Sequence, residues 1–480
     1  MATVVILGGG VSGLAAAYYL QRNAKKLGKL IVLEGKKHTG GWISSAQHAN
    51  GSVFEHGPRS IRPVGVSGRN TLQLVEELDL AKDVLVVHRS DAAARNRYLY
   101  VGGKLHPLPN NLKGLISKVP PFSKPLIRNF LGEPFAKRNT APDESINSFF
   151  ERRFGKEFAD IAADALCRGI FAGDSRILSM KSCFPDIFKI ERKHGSLILG
   201  MIISGRAKPQ LQTTIEKRAK EERWASWSLR HGMQQITHAM TAAVSANPVC
   251  DVRISSPCQS LSLGSDGKIK VKTEAEDISA DHVVSSIYAN DLASLLPEKY
   301  VELRSALQSI PAVSVYVVNL EYPGEHIPVQ GFGHLLPSSE NPYVLGIVYD
   351  SCTFPEHNRK DKPSTRLTVM LGGSWFNKLL TGKGELPTLD TVAGVAKATV
   401  ISHLGFPHDL QPSKADVFLL KNCIPQYTVG HSDKLLKVDS CLKASGLPLH
   451  LIGASYKGVS VNDCIYNSRL FAEELQTLLK

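Results

Sequence analysis

Gly8-Gly9-Gly10-Val11-Ser12-Gly13 stands between an apolar β-branched run, Thr3 to Leu7, and a helix-forming stretch, Leu14 to Leu20. Strand, G-x-G-x-x-G and helix in that order describe a phosphate cradle. Gly8 permits the tight turn, Gly10 lets a pyrophosphate approach the backbone, and Gly13 lets helix and strand pack closely. Free N–H groups and the dipole at the helix N-terminus favour negative charge there. A second run, Lys29 to Leu33, ends at Glu34, 21 residues after Gly13, with Gly35 next. An acid at that distance accepts both ribose hydroxyls of a dinucleotide and repels a 2′-phosphate. A glycine turn in some other α/β unit would explain the glycines but not Glu34.

More small residues follow in Gly40-Gly41, Asn50-Gly51 and Phe54-Glu-His-Gly57-Pro58-Arg59-Ser60. FAD is long enough to need such residues where its ribityl chain and ring pass the backbone. By composition alone the same clusters also suit hairpin turns.

The elements that must position these residues recur along the chain. The helical pattern of Asp143 to Phe154 and Glu157 to Cys167 sets residues 91–223 apart, and an α/β rhythm resumes at Trp227 with strands at Val252–Ile254, Ile269–Lys272 and His282–Val284. Pro311–Leu320, Tyr343–Tyr349 and Arg366–Leu371 read as a mixed sheet. Leu449–Gly453 reads as a buried strand, and Asp463–Leu479 as a final helix.

The 480 residues carry 57 Lys/Arg against 44 Asp/Glu, for a net charge of +13. Anionic partners are implied, but the excess forms no tail and no nucleic-acid module is recognisable, so nucleic acid is not expected. Residues 101–140 hold seven Lys/Arg, among them Lys113, Lys118 and Lys124, against Glu133 alone, interleaved with Leu115, Ile116, Val119, Phe122, Leu126, Ile127, Phe130 and Leu131. Such a segment suits shallow contact with lipid headgroups; it equally suits a loop whose apolar residues face the protein. The longest apolar run, Ser196–Gly205, lies between His194 and Arg206 and is too short to span a bilayer. With a strand pattern starting at Thr3, no removable presequence is expected. Eight scattered cysteines form no C-x-x-C or Cys/His ligand spacing, so neither disulfides nor a metal site is indicated. No hydrolase, zinc-protease or P-loop motif is present.

Glu34 followed by Gly40-Gly41 resembles the signature of the flavin amine oxidase and protoporphyrinogen oxidase superfamily. The chain departs from it at Trp42, where most members carry Arg. Gly40–Ile43, Gly57–Pro63, Asn96-Arg97, Cys167–Gly173, Gln330–His334, Asn422–Tyr427 and Gly453–Val459 are similar to the animal mitochondrial branch of that family. The resemblance runs nearly end to end. It implies an α/β chain in which a discontinuous Rossmann-like FAD domain (1–90, 224–290, 415–480) is joined to a helical membrane-contacting domain (91–223) and a mixed-sheet substrate domain (291–414).

The resemblance further implies non-covalent FAD held by Gly8, Gly9, Gly10, Val11, Ser12, Gly13, Glu34, Gly35, Gly41, Trp42, Gly57, Pro58, Arg59, Ser60 and Pro257. The usual acid after Gly453 is replaced by Ala454-Ser455, so backbone contact from Val459, Ser460 and Val461 is expected there instead. Arg59 is expected near the flavin; its plainer reading is an exposed turn arginine. The implied reaction takes hydride from a methylene bridge of protoporphyrinogen IX to the flavin in three rounds, with oxygen reoxidising the flavin to give hydrogen peroxide and no obligatory protein base. Arg97 is implied to meet a propionate, and Gly169, Phe332, Leu335 and Met370 to shape the cavity; on composition alone Arg97 is equally a solvated cation and the rest ordinary core. Family membership also implies a homodimer, peripheral on the intermembrane-space side of the mitochondrial inner membrane, with ferrochelatase downstream. An amine oxidase, a carotenoid-type desaturase and a prenyl-binding escort protein remain as readings of the same scaffold.

Overall fold

The structure is a computed structural model that describes residues 1–23, 26–204 and 211–479. Gly205 and Arg206, at the end of the apolar run, lie outside the described residues.

A five-stranded sheet runs in the order Leu449–Leu451, His282–Ser285, Ala2–Leu7, Leu27–Leu33, Cys250–Arg253. Every pairing in it is parallel. Parallel strands are covered on both faces, and the alternation along Ala2–Leu7 shows how. Val4 and Ile6 pack with helices Val11–Asn23, Gln234–Ser245 and Val461–Leu478. Val5 and Leu7 pack on the other face with Leu261, Ile269 and Val271 of a small antiparallel sheet and with Leu292, Leu303 and Val438 from three helices.

The second large sheet has seven strands, in the order Lys414–Pro425, Ala312–Pro323, Ser364–Gly372, Val344–Val348, Gly333–Leu335, Tyr98–Val101, Lys104–Pro107. Leu389–Leu404 covers one face, where Tyr316, Val318, Leu320, Leu367 and Val369 meet Val392, Ala396 and Val400. Val315, Val317, Leu345 and Met370 line the other. The sheet draws on 98–107 and 414–425, stretches that the sequence reading grouped with the helical segment and with the third part of the nucleotide-binding unit.

In the helical region Ile146–Phe154 starts three residues later than its pattern suggested. Ser145 caps it by accepting from Ser148 N–H, while Asp143 serves elsewhere, accepting from Ser179 Oγ and Gly430 N–H. Lys156–Phe158, a π turn at Ala159–Ala163 and Asp164–Phe171 continue as one rod. Among the described residues no helix is long and apolar enough to cross a membrane, and all eight cysteines are free.

Candidate active site

The glycine loop is packed to the limit of what backbone alone allows. A Cβ on Gly13 would stand 2.0 Å from the Gly8 carbonyl oxygen, and one on Gly8, at φ +97°, 2.8 Å from Ser286 Oγ. Ser286 ties the turn down by placing its Oγ 2.8 Å from the Leu7 carbonyl and 3.1 Å from that of Gly8. Sequence reading missed Ser286; its one signal is its place just beyond a buried strand.

Glu34 sits at the end of its strand, buried. Its Oε2 accepts Gly9 N–H and its Oε1 accepts Lys36 N–H, each at 2.8 Å. One bond per oxygen leaves lone pairs on both for sugar hydroxyls. Gly35 abuts Pro257, whose Cβ lies 3.5 Å from where a Gly35 Cβ would stand. Gly40 N–H reaches the Gly9 carbonyl at 2.9 Å, and a Cβ on Gly41 would lie 3.1 Å from Gly10 Cα, so the two glycine clusters share one cradle. Trp42 lies under the Lys36 ammonium, 4.5 Å from its ring centre.

The closing helix joins the same place. Gly453, at φ +98°, would carry its Cβ 3.5 Å from Ser12 Oγ, and Val461–Leu478 packs along Val11–Asn23. Two helix N-termini therefore flank the glycine loop, where free N–H groups favour an anion. Ser460 spends its side chain on its own helix, accepting Asp463 N–H at 3.1 Å and donating to Asp463 Oδ2 at 2.6 Å. Val459 leans on the helical cluster, so this turn offers mainly backbone to a ligand.

Gly57, Pro58, Arg59 and Ser60 form the seam with the seven-stranded sheet. A Cβ on Gly57 would fall 2.0 Å from the Trp42 carbonyl oxygen. Arg59 is buried, not an exposed turn arginine: its Nη1 donates to Asp350 Oδ1 at 3.0 Å. Asp350 Oδ2 accepts from Thr368 Oγ1, which also bonds Asn319 Oδ1, and Asn319 Nδ2 donates to the Glu55 carbonyl. Arg366 adds bonds to the Val53 and Phe354 carbonyls, and His56 stacks on Phe418 at 3.4 Å. Burial pushes Glu55 up to about 7, even though Ser45 Oγ and Met233 N–H donate to it. Arg59 Nη2 is buried with no hydrogen-bond partner among the described residues. An orphaned cationic donor at this price points to an absent electron-rich group.

The five residues implied for a substrate also come together. Tyr98–Val101 runs parallel to Gly333–Leu335, and the Arg97 guanidinium lies 5.3 Å over the Phe332 ring. The Arg97 side chain opens to solvent, yet burial of the guanidinium and the like charge of Arg62 hold its pKa below the usual value. A Cβ on Gly169 would meet the Leu335 methyls at 2.7 Å, and Gly346, opposite Leu335 and Met370 on the two neighbouring strands, meets Leu335 at 3.0 Å. Leu166 and Ile170, either side of Gly169, expose apolar surface; their i, i+4 spacing was the available signal and was not used. Arg168 fastens this helix to the sheet through the Asn341, Pro342 and Val344 carbonyls, with Trp375 4.4 Å away.

The 101–140 segment divides. Phe122 and Leu126 are buried core, and Leu115 and Phe130 pack against that core, which overturns the reading of these four as lipid-facing. Ile116 and Leu131 are exposed, as are Lys113, Lys118 and Lys124.

Residues 11–475 match the family described as flavin containing amine oxidoreductase. The chain belongs to that family. Within it, the protoporphyrinogen oxidase of Homo sapiens is 48% identical over 467 residues, 97% of each chain. Among solved structures, a chain from Exiguobacterium sp. 255-15 covers 99% of each partner at TM-score 0.79 and 21% identity. Cyclohexylamine oxidase from Brevibacterium oxydans does so at TM-score 0.65 and 15% identity. The likeness to these two is one of fold. In a flavin containing amine oxidoreductase the cradle, the Glu34 carboxylate and the orphaned Arg59 donor all fit an extended dinucleotide.

Proposed function

We propose that this chain oxidises protoporphyrinogen IX to protoporphyrin IX on bound FAD, with molecular oxygen as terminal acceptor. Six electrons and six protons leave the substrate in three rounds, and three O₂ become three H₂O₂. The observation that carries this reading is the 48% identity with the human protoporphyrinogen oxidase over 97% of both chains.

FAD, when bound, supplies the hydride-accepting ring. Gly8 to Gly13 and the N-terminus of Val11–Asn23 would hold its pyrophosphate, and Glu34 its ribose, with Gly35 and Pro257 beside the adenine. Gly41, Trp42, Gly57, Pro58, Arg59 and Ser60, with the backbone of Val459, Ser460 and Val461, would line its ribityl and ring end. For the substrate, Arg97 offers a cation to a propionate at the rim. Phe332, Leu335 and Met370 present apolar surface to the macrocycle and exclude water, and Gly169 leaves room that a side chain would fill. A pyrrole N–H can be lost to water or a neighbouring ring nitrogen, so no protein base is required.

Family resemblance supports the wider setting: a homodimer, peripheral on the intermembrane-space face of the mitochondrial inner membrane, attracted to anionic lipid and passing product to ferrochelatase. The deciding experiment is spectroscopic. Purified protein should show oxidised-flavin absorption that bleaches when protoporphyrinogen is added anaerobically, and porphyrin fluorescence should grow in air. Turnover of an amine with no gain in porphyrin fluorescence refutes the assignment in favour of an amine oxidase. Protein that stays colourless with FAD refutes it in favour of a binding protein.

A further inference from the structure

We propose that the helix Leu197–Ser204, together with Leu131 and Phe135, is the element that seats this chain on an anionic phospholipid surface. The inference rests on the membrane association proposed above and says which surface makes the contact.

The helix reads Leu-Ile-Leu-Gly-Met-Ile-Ile-Ser and contains no charge. It nevertheless exposes Met201 by 59%, Ile202 by 73% and Ile203 by 67%, and the neighbouring turn exposes Leu131 by 68% and Phe135 by 90%. Single exposed apolar residues are ordinary; a contiguous set that excludes polar residues marks a contact surface. The orientation is fixed from inside. Leu197 is buried, and Gly200 lies so close to the preceding helix that a Cβ there would stand 2.4 Å from Ile190 Cγ2. Leu199, Met201, Ile202 and Ile203 are thereby turned outward.

The attachment is a buried ion cluster. Glu133 accepts from Leu197 N–H at 2.8 Å, from Ile198 N–H at 3.3 Å and from Ser196 Oγ, so one carboxylate caps the apolar helix. Arg153, itself buried, donates to Glu133 Oε1 at 3.1 Å, to the Gly195 carbonyl at 2.9 Å and to Glu191. Because Glu133 lies between Leu131 and Phe135, the same carboxylate holds both pieces of the apolar face together. It also removes the segment's only acid from the surface. Exposed Arg128, Lys137, Arg138 and Lys193 remain in the two adjoining segments, with the Arg138 guanidinium pressed against Gly195 at the turn into the helix.

An apolar wedge bordered by cations fits a surface with an apolar interior and anionic headgroups. A second copy fits it less well, since a two-fold contact would bring the same cations face to face. The face is also distinct from the Lys113, Lys118 and Lys124 surface, whose neighbours Phe122 and Leu126 point into the protein.

The test is flotation of the purified flavoprotein with phosphatidylcholine vesicles, with and without one-third phosphatidylserine. The parent chain should bind the anionic vesicles preferentially. Ile202→Glu/Ile203→Glu should bind about 100-fold more weakly, roughly ten-fold for each large aliphatic side chain kept from burial, with unchanged melting and unchanged turnover in detergent. Ile202→Trp should retain binding and show a blue-shifted emission quenched by brominated lipid. If the parent binds and the double variant binds equally, the assignment of this face is overturned while membrane association stands. If the parent does not bind either vesicle, membrane association itself fails. If the double variant converts a dimer to a monomer in sedimentation velocity and keeps its vesicle affinity, the face is a self-association surface and the proposal is overturned.

Discussion

The Arg59–Asp350 pair makes a sharp prediction because it is nearly dry: the side chains are 7% and 13% exposed and their charged atoms 3.0 Å apart. Asp350→Asn leaves the Arg59 cation buried without its carboxylate and should cost about 3 kcal/mol. Arg59→Met strands Asp350 instead, at a similar cost. Removing both charges should cost well below the sum, about 1–2 kcal/mol, because the buried-charge penalty disappears with the second substitution. Unfolding entropy near 2 cal/mol/K per residue amounts to about 1 kcal/mol per degree for a chain of 480 residues. Each single variant should therefore melt about 3 °C lower and the double variant about 1–2 °C lower. Scanning calorimetry of FAD-stripped protein reads the pair alone. Repeating it with FAD in excess reads the cofactor, since ligand stabilises in proportion to the logarithm of its excess over Kd. Arg59→Met should lose more of that gain than Asp350→Asn, which keeps Nη2 in place. A double variant that melts as low as the two singles summed would refute the coupling, and equal loss of the FAD gain in both singles would refute the role given to Nη2.

Burial raises the folded pKa of Glu55 from 4.5 to about 7, so the native state holds this proton more tightly than the unfolded chain. Its contribution is therefore full below pH 4.5 and is lost as pH rises toward 7, by about 3 kcal/mol in all; Glu55→Gln should gain on the parent in melting scans between pH 5 and 8, and a pH-independent difference contradicts this. Burial pushes His56, His357, His403, His431 and His450 down to about 4, which gives the opposite sign: stability is full above pH 6.5 and lost as pH falls toward 4, with proton uptake on unfolding measurable by titration. Gly13→Ala, whose methyl would meet the Gly8 carbonyl at 2.0 Å, should yield protein without flavin absorption. Gly169→Ala meets only the movable methyls of Leu335, so it should keep its flavin and raise KM for protoporphyrinogen more than it lowers kcat. Lys113→Glu/Lys118→Glu/Lys124→Glu should weaken flotation with anionic vesicles only modestly and in a salt-dependent way while sparing turnover in detergent, because the seating face lies elsewhere; loss as complete as that of Ile202→Glu/Ile203→Glu counts against that division.

The nucleotide cradle was legible in the sequence because its constraints are local. A turn, a close approach and a helix start fall within six residues, and the acid that completes them ends the next strand. The partners that make Arg59 and Glu55 unusual were not legible, because Asp350 and Met233 lie 291 and 178 residues away in the chain and nothing in the type of either residue announces the pairing. Strand Lys414–Pro425 escaped notice for a different reason. It is an edge strand with most of its residues half-exposed, a left-handed residue at Asn422 and a bulged register opposite Val313–Val315, so it shows no clean alternation. The apolar helix was legible as a run but not as a surface, since only packing against Ile190 and Glu133 decides which way it faces.

The strand Leu449–Leu451, at one edge of the cofactor sheet, has a consequence for biosynthesis. Its neighbour His282–Ser285 is made more than 160 residues earlier and pairs on its other side with the first strand of the chain. A growing polypeptide must hold those apolar strands, one edge unpaired, until Leu449–Leu451 emerges, and such long-range closure is slow and prone to aggregation. Any product halted before residue 449 lacks both that edge and the second helix flanking the glycine loop. Flavin retention thus reports that synthesis has passed the helix Val461–Leu478, and a cofactor supplied during synthesis would act as a folding aid once that helix is in place.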